Sequence, residues 1–254
     1  MKHDKRIRQN LASIRDRIAE AALSAGRHPS EVQLVAVSKY FPIEAVMAAR
    51  AYGQRDFGES RPEEGAEKIP QIAQALQNDD LIWHMIGHVQ SRKTDMVVEH
   101  FDWVHSLDRY KFARKMSPRA VEAGRKIPVL IECNVSGEAS KYGYQLAGWE
   151  ESEEVREHFF KQVEALVDMP GMRIEGLMTM APLTDDPETV RPVFASLRAL
   201  REVLRERFPR LSWRHLSMGM TDDFEVAVEE GSTLVRIGRG VFGEYGSWDL
   251  KDEG

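Results

Sequence analysis

The sequence contains a single cysteine, Cys133, among 254 residues, which excludes an intramolecular disulfide and a cysteine-rich zinc site. It contains no run of about 20 apolar residues, so we expect no membrane span. Basic residues are not in excess: 35 lysines and arginines stand against 41 acidic residues, which argues against a nucleic-acid partner. Residues 1–10 are charged and lack the apolar stretch of a secretory leader, so we expect a cytoplasmic protein.

Hydrophobic residues make up 42% of the chain and follow two alternating patterns. Segments with helical spacing occur, for example, at 42–53, 153–167 and 190–207. Short apolar runs between such segments predict eight strands, at 32–39, 55–59, 81–87, 103–107, 129–135, 173–180, 213–218 and 234–238. Eight strand–helix units in about 250 residues favour the α/β class and a single (β/α)8 TIM-type barrel. An open, doubly wound sheet is the alternative.

An extra N-terminal helix is predicted before the first strand. Apolar residues recur at spacings of four, three and four between Ile7 and Ile18, which places them on one helix face. After the last strand only residues 239–254 remain, too few for a full outer helix after a turn. We therefore expect residues 1–26 to pack on the barrel, within one domain that spans residues 1–254.

Polar residues fall where the predicted strands end, and in a barrel these ends form the rim that carries the chemistry. Period-two alternation places Val35, Val37 and Lys39 on one face, so the lysine projects with an apolar set. Desolvation lowers the pKa of a lysine, and a neutral amine is the nucleophile that forms a Schiff base with an aldehyde. The alternative is a lysine that merely reaches the solvated mouth of the barrel.

The last predicted strand carries an arginine within an apolar run. Arg236 lies between Val235 and Ile237 and so faces the barrel interior, where it needs an acceptor from a ligand or an acidic side chain. Residues 238–243 then match G-x-G-x-x-G, but too few residues follow for a dinucleotide-binding unit. We interpret them as a loop whose backbone N–H groups approach a phosphate, a site that barrels often place after strands seven and eight.

No metal site is expected. His84 and His88 are four residues apart but on a strand, and no glutamate follows His84, so the helical zinc-protease motif is absent. The sequence also has no Walker loop and no Gly-x-Ser-x-Gly elbow.

A lysine at the end of the first predicted strand, an arginine on the last and a glycine-rich phosphate loop together describe a pyridoxal phosphate site. Over residues 31–245 the sequence resembles the YggS/PROSC-type pyridoxal phosphate homeostasis proteins, whose barrel is similar to the N-terminal domain of alanine racemase. The matching motifs are VAVSK at 35–39, FGES at 57–60, WHMIGHVQSRK at 83–93, HSLD at 105–108, NVSGEASKYG at 134–143, GLM at 176–178, LSMGMTDDF at 216–224, VRIG at 235–238 and FG at 242–243.

The resemblance implies a role for particular residues. Lys39 would carry the cofactor as a Schiff base, and Arg236 would face the pyridine nitrogen. The residues implied around the phosphate are Ser217, Gly219, Thr221, Gly238 and Arg239. The strand-end residues that complete the expected cofactor-binding set are Ser60, His84, Ser106 and Asn134. The family usually has Asn at the position of Ser60 and often Ser at that of Thr221; the threonine keeps a hydroxyl, whereas Ser60 lacks the amide.

The family implies a non-catalytic protein that holds pyridoxal 5′-phosphate reversibly and takes part in its intracellular homeostasis. A pyridoxal phosphate-dependent amino-acid racemase is the alternative. Racemisation needs two positioned bases, and in racemases with this barrel the second, a tyrosine, comes from an additional β-domain and a partner subunit. An arginine at the ring nitrogen would also weaken the ring as an electron sink.

A third class, a Schiff-base aldolase without cofactor, would use Lys39 but gives no role to Arg236 or to the phosphate loop. The expected cofactor is therefore pyridoxal 5′-phosphate. We expect pyridoxal phosphate-dependent apoenzymes as recipients, no nucleic-acid or membrane partner, and a monomer.

Overall fold

A computed structural model describes residues 2–76 and 80–244 of the chain. Its helices are α1 (Lys2–Ser24), α2 (Ile43–Ala51), α3 (Pro62–Leu76), α4 (Thr94–His100), α5 (Tyr110–Glu122), α6 (Glu153–Val167), α7 (Arg191–Arg207), α8 (Phe224–Glu229) and α9 (Arg239–Phe242). Its strands are β1 (Gln33–Val37), β2 (Asp56–Glu59), β3 (Ile82–Met85), β4 (Trp103–Leu107), β5 (Ile127–Asn134), β6 (Tyr144–Gln145), β7 (Met172–Met178), β8 (His215–Ser217) and β9 (Leu234–Ile237). None of the described helices is long and apolar enough to cross a membrane.

Within the described residues, eight parallel strands close into a barrel, which confirms the predicted (β/α)8 fold. Around the barrel the order is β1, β2, β3, β4, β5, β7, β8 and β9, and β9 pairs again with β1. Pairing of β4 with β5 completes the ring and excludes the open, doubly wound sheet. The short β6, which the sequence analysis missed, extends the edge of β5 at Cys133 and Asn134.

The predicted strands are confirmed, with bounds that differ by a few residues. The fourth strand has the predicted bounds, because its aromatic and β-branched residues are followed directly by Asp108 and the start of α5. The first strand ends earlier than predicted, at Val37. Ser38 and Lys39 therefore lie in the turn that leads to α2, on the rim of the barrel.

The barrel interior contains a small apolar cluster that is separate from the core beneath the helices. Val35, Leu130, Met178 and Leu234, from four different strands, are buried against one another there. Such layers make a TIM barrel a packed core and not a pore, so a ligand finds space only above them, at the carboxyl ends of the strands.

The N-terminal helix packs on the barrel as expected. Along α1 the residues Ile7, Leu11, Ile14 and Ile18 are buried, and the helix contacts α2, α8 and α9. The amide of Asn10 donates a hydrogen bond to the carbonyl of Val241, 2.9 Å away, next to the single-turn α9. The segment after the last strand is thus covered by α1; residues 245–254 of that segment lie outside the described residues.

Deleting residues 1–26 is expected to destabilise the whole barrel, because α2, α8 and α9 would each expose an apolar face. At single-residue scale, Leu11→Ala removes a fully buried side chain and should lower the free energy of unfolding by about 2–5 kcal/mol. Gln9→Ala, on the exposed face of the same helix, is the matched control and should change little. Thermal unfolding measures all three, and an unchanged melting transition in the deletion would contradict the expectation.

Candidate functional site

A cavity of about 770 Å³ opens at the carboxyl ends of the barrel strands. It brings together six residues that the sequence analysis selected, and these are Lys39, Ser60, Thr221, Arg236, Gly238 and Arg239. Its remaining wall includes aromatic, aliphatic and charged side chains, so the cavity suits a partly apolar ligand that carries a negative group.

Lys39 stands at the rim of this cavity, two residues after the end of β1. The alternation predicted for its face is present, since Val35 lies in the interior cluster and Val37 lines the cavity with Lys39. The lysine is half-buried. Burial, and secondarily the charge of Arg61, lowers the pKa of the Lys39 amine from its ordinary value. A larger fraction of the amine is therefore neutral and nucleophilic at neutral pH.

The backbone before Lys39 is held by a buried polar cluster. The hydroxyl of Ser38 donates to Glu59 Oε1 at 2.7 Å, and Lys68 Nζ donates to the same oxygen at 2.7 Å. Lys68 also donates to the Ser38 carbonyl, 2.9 Å away, which ties α3 to the turn. On the other side, Tyr40 adopts a left-handed backbone with φ of 66°, a conformation that is uncommon for a non-glycine residue. Lys39 thus projects from a fixed turn.

Arg236 is buried in the barrel wall and faces the cavity, as its alternation with Val235 and Ile237 predicts. Its guanidinium donates to Ser217 Oγ at 2.6 Å and to the Thr179 carbonyl at 2.9 Å. Among residues 2–76 and 80–244, no carboxylate forms a direct ion pair with it, so the ion-pair alternative is not what the structure contains. Burial lowers the pKa of Arg236 to about 10, which leaves it cationic at neutral pH.

A chain of buried hydrogen bonds continues from Arg236 across the barrel. Ser217 Oγ lies 2.9 Å from His105 Nδ1, and His105 Nε2 lies 2.9 Å from His84 Nδ1. His84 Nε2 then lies 3.0 Å from Asp56 Oδ1, at the amino end of β2. The chain therefore runs from the cavity to the opposite end of the barrel.

The two ends of this chain set its direction. Arg236 can only donate, and the Asp56 carboxylate can only accept. Burial, followed by the nearby His84 and Arg236, holds the pKa of His105 well below its usual value, so His105 is neutral. The Ser217 hydroxyl can accept from Arg236 and donate to Nδ1 of the neutral His105, whose Nε2–H then donates to His84. The bonds to Ser217 and Thr179 fix the orientation of the Arg236 guanidinium, and its positive charge keeps it a donor.

The loops after β8 and β9 meet beside Arg236. The backbone N–H of Gly240 lies 3.4 Å from Thr221 Oγ1, and Arg239 donates to Asp222 at 2.5 Å. Gly219 has a φ of 96°, and an added Cβ there would lie 2.7 Å from the Cβ of Ala227, so this turn requires glycine. A hydroxyl, a guanidinium and a glycine backbone on one wall form a donor set suited to a phosphate.

The other five residues of the expected cofactor-binding set do not line the cavity. His84 and Ser217 belong to the buried hydrogen-bond chain, and Gly219 shapes the loop after β8. Ser106 donates to the carbonyl of Gly87 at 2.7 Å. Asn134 ties together the loop after β5, since its amide donates to the Glu138 carbonyl and to Gln145, each at 2.9 Å.

Two residues of the cavity wall were not in the expected cofactor-binding set. Glu132 lines the cavity from β5, and the alternation of Leu130 and Glu132 within an apolar run was the signal that could have found it. His88 also lines it, with its Nδ1 2.5 Å from Asp108 Oδ2 and its ring stacked on Tyr142 at 4.1 Å. No local pattern in the sequence indicates that stack.

The cavity thus combines a lysine, an arginine and a wall of hydrogen-bond donors at the carboxyl ends of a (β/α)8 barrel. The alanine racemase N-terminal domain family matches residues 5–246 of this chain. The chain therefore belongs to this family, and its curated relatives are pyridoxal phosphate homeostasis proteins.

The similarity extends over nearly the full length of those relatives. The pyridoxal phosphate homeostasis protein of Vibrio cholerae is 40% identical over 238 residues, covering 94% of this chain and 96% of the relative. The one from Pseudomonas aeruginosa is 41% identical over 243 residues, covering 95% and 97%.

Solved structures are similar to this chain over most of its length. PipY of Synechococcus elongatus, solved with pyridoxal phosphate bound, superposes with a TM-score of 0.77 at 34% identity, covering 93% of this chain and all of PipY. Alanine racemase of Clostridium difficile has a TM-score of 0.70 at 16% identity, and the match covers 96% of this chain and 58% of the racemase. At that identity the racemase shares the fold alone.

Proposed function

We propose that this chain binds pyridoxal 5′-phosphate as a Schiff base with Lys39 and holds it, without catalytic turnover, as part of its intracellular homeostasis. The observation that carries the proposal is the presence of Lys39, Arg236 and a wall of donors suited to a phosphate in one cavity. The relatives' names and the ligand of PipY support the choice of cofactor.

The residues present fit the chemistry of this group. The half-buried Lys39 offers an amine of lowered pKa to an aldehyde. Thr221, Gly238 and Arg239 offer a hydroxyl, backbone and a cation to the phosphate. Arg236 offers a fixed donor to the ring nitrogen. When bound, the cofactor supplies an aldehyde and an electron-accepting ring, and the protein supplies binding and orientation.

The absence of turnover is proposed from Arg236. A ring nitrogen that accepts from a guanidinium stays unprotonated, and an unprotonated ring is a weak electron sink. The hydrogen-bond chain behind Arg236 ends on Asp56 and opposes any change in its role as a donor. Amino-acid racemisation, the alternative, would need a ring that accepts electrons and, in addition, a second positioned base.

Recipient apoenzymes are proposed to dock at the cavity mouth. Two strongly exposed apolar side chains, Tyr142 and Leu183, line it, and Leu183 is 84% exposed; the exposed Tyr40 follows Lys39 directly in the chain. Exposed apolar residues gathered at one rim are typical of a protein-interaction surface.

The proposal predicts where borohydride will fix the cofactor. Protein incubated with pyridoxal phosphate and then reduced should carry one phosphopyridoxyl group, on Lys39. Lys93 is the internal comparison, because it also lines the cavity but is paired with Glu63. Peptide mapping by mass spectrometry identifies the modified residue. Modification of Lys93 with Lys39 unmodified would overturn the assignment, and no modification at all would overturn the covalent mode of binding.

A further inference from the structure

Glu132 occupies a place in the barrel that the proposed function leaves without a role. It lies on β5, and three strands separate β5 from β1 in either direction around the barrel. Its side chain and that of Lys39 therefore line the same cavity from opposite walls. Its neighbour in register on β7 is Met178, which has no charge to offer.

This carboxyl is buried without full hydrogen bonding. Glu132 is 2% exposed, and its Oε2 has no hydrogen-bond partner among the described residues. A buried carboxylate left unpaired is strongly destabilised, whereas a carboxylic acid tolerates burial better and has an O–H group to donate. An unsatisfied group aimed into a ligand cavity is the arrangement expected of a residue whose partner is the ligand.

The charges that face Glu132 come from the loop between β4 and α5 and from β9. Asp108 follows β4, Arg109 precedes α5 and Arg236 lies on β9; His88, on the far side of Asp108, is bonded to it. Burial, and then Asp108, raises the pKa of Glu132 to about 8, against the opposing effects of Arg236 and Arg109. Glu132 is therefore mostly protonated at neutral pH.

We propose that Glu132 is a binding residue that donates a hydrogen bond from its protonated carboxyl to the ligand, on the wall opposite Lys39. The ligand must then present an acceptor oxygen at this point, so the site selects a phosphorylated aromatic ring with an acceptor facing β5. This inference rests on the proposed function and adds a specificity-determining residue to it.

Pyridoxine 5′-phosphate is the probe that tests this donor, because it has an alcohol in place of the aldehyde and cannot bond covalently to Lys39. A ligand that binds only protonated Glu132 should show a dissociation constant about tenfold higher at pH 9 than at pH 7, given a pKa of about 8. Glu132→Gln has an amide that does not titrate and should lose this tenfold component. Titration calorimetry at pH 9 should also show close to one more proton taken up by the wild type than by the variant.

Glu63→Gln is the matched control. Glu63 lines the same cavity, but its hydrogen bond with Lys93 lowers its pKa, so it stays ionised from pH 7 to pH 9. This variant should keep the tenfold change of the wild type. The protonation of pyridoxine 5′-phosphate itself changes with pH in the same way in all three experiments. The ratio of each variant's dissociation constant to that of the wild type, taken at each pH, therefore isolates the effect of Glu132. The same pH response in Glu132→Gln as in the wild type would overturn the proposal while leaving cofactor binding intact.

A measurement without ligand tests the protonation of Glu132 separately from ligand binding. The folded-state pKa of Glu132 is raised, so its contribution to stability is complete below about pH 4.5 and is lost as the pH rises to about 8. The melting temperature of the wild type should therefore fall relative to that of Glu132→Gln over this range. A difference in melting temperature that does not change with pH would show that Glu132 is not protonated in the folded protein, and it would overturn the proposal. Failure of every variant to bind the probe would overturn this proposal and the proposed function together.

Discussion

Lys39→Ala is expected to abolish covalent attachment of pyridoxal phosphate and to leave the barrel folded. The side chain stands in the turn after β1 and fills no space in the apolar core, so its removal leaves the packing of β1 unchanged. Only the contacts of the phosphate and ring would remain. We expect affinity to fall about 100-fold, equivalent to about 2.8 kcal/mol, and the visible absorption of the lysine-bound cofactor to disappear.

The measurement combines an absorption spectrum, a mass spectrum after borohydride reduction and a thermal unfolding curve. Lys93→Ala is the matched control, since it removes another lysine of the cavity wall, and it should keep both the absorption and the covalent mass. A covalent adduct that persists in Lys39→Ala would show that another lysine carries the cofactor. A lost melting transition would show instead that Lys39 is needed for folding.

Much of this site could be predicted from the sequence because strands impose a strict period of two. That period places Arg236 on the inner face of the barrel and Lys39 in line with the inward-facing Val35 and Val37, and both residues line the cavity. The glycines and hydroxyls after β8 and β9 are similarly local, since they sit at strand ends that a barrel brings to one rim. The fold itself followed from the count of strand–helix units.

Other parts of the site depend on contacts between distant residues, which no local pattern reveals. The hydrogen-bond chain joins His84, His105 and Ser217, which lie on three different strands. Only the closed barrel brings each of them within 3 Å of the next. His84 was expected beside the cofactor, but the structure places it in this chain. Alternation indicates that Glu132 points inward, yet its protonation depends on burial and on Asp108, 24 residues away in the sequence.

The same chain determines what to expect when Arg236 is replaced. If Arg236 donates to the ring nitrogen, as proposed, the bound ring of the wild type is a poor electron acceptor. An amino acid that reaches the cofactor should therefore lose its α-proton very slowly. Alanine incubated with the loaded protein in heavy water should show negligible incorporation of deuterium at the α-carbon.

Arg236→Glu should reverse this behaviour, because a carboxylate accepts a hydrogen bond from a protonated ring nitrogen. The Ser217 hydroxyl accepts from Arg236 in the wild type. It can rotate and donate to the new carboxylate, which reverses the direction of this first bond of the chain. We expect measurable incorporation of α-deuterium in this variant, with proton NMR as the measurement. A melting transition and bound cofactor are the control that the fold tolerates the change.

Arg236→Gln is the matched control for the change of charge. Its amide can still donate to an unprotonated nitrogen, so it should resemble the wild type and show negligible exchange. Equal exchange in the glutamate and glutamine variants would mean that the donor at position 236 does not control the ring. Exchange in the wild type at about 1 per second or faster, a rate typical of enzymes, would overturn the non-catalytic proposal and favour a racemase. The wild-type measurement decides this even if Arg236→Glu does not fold, because the guanidinium is then in its native place.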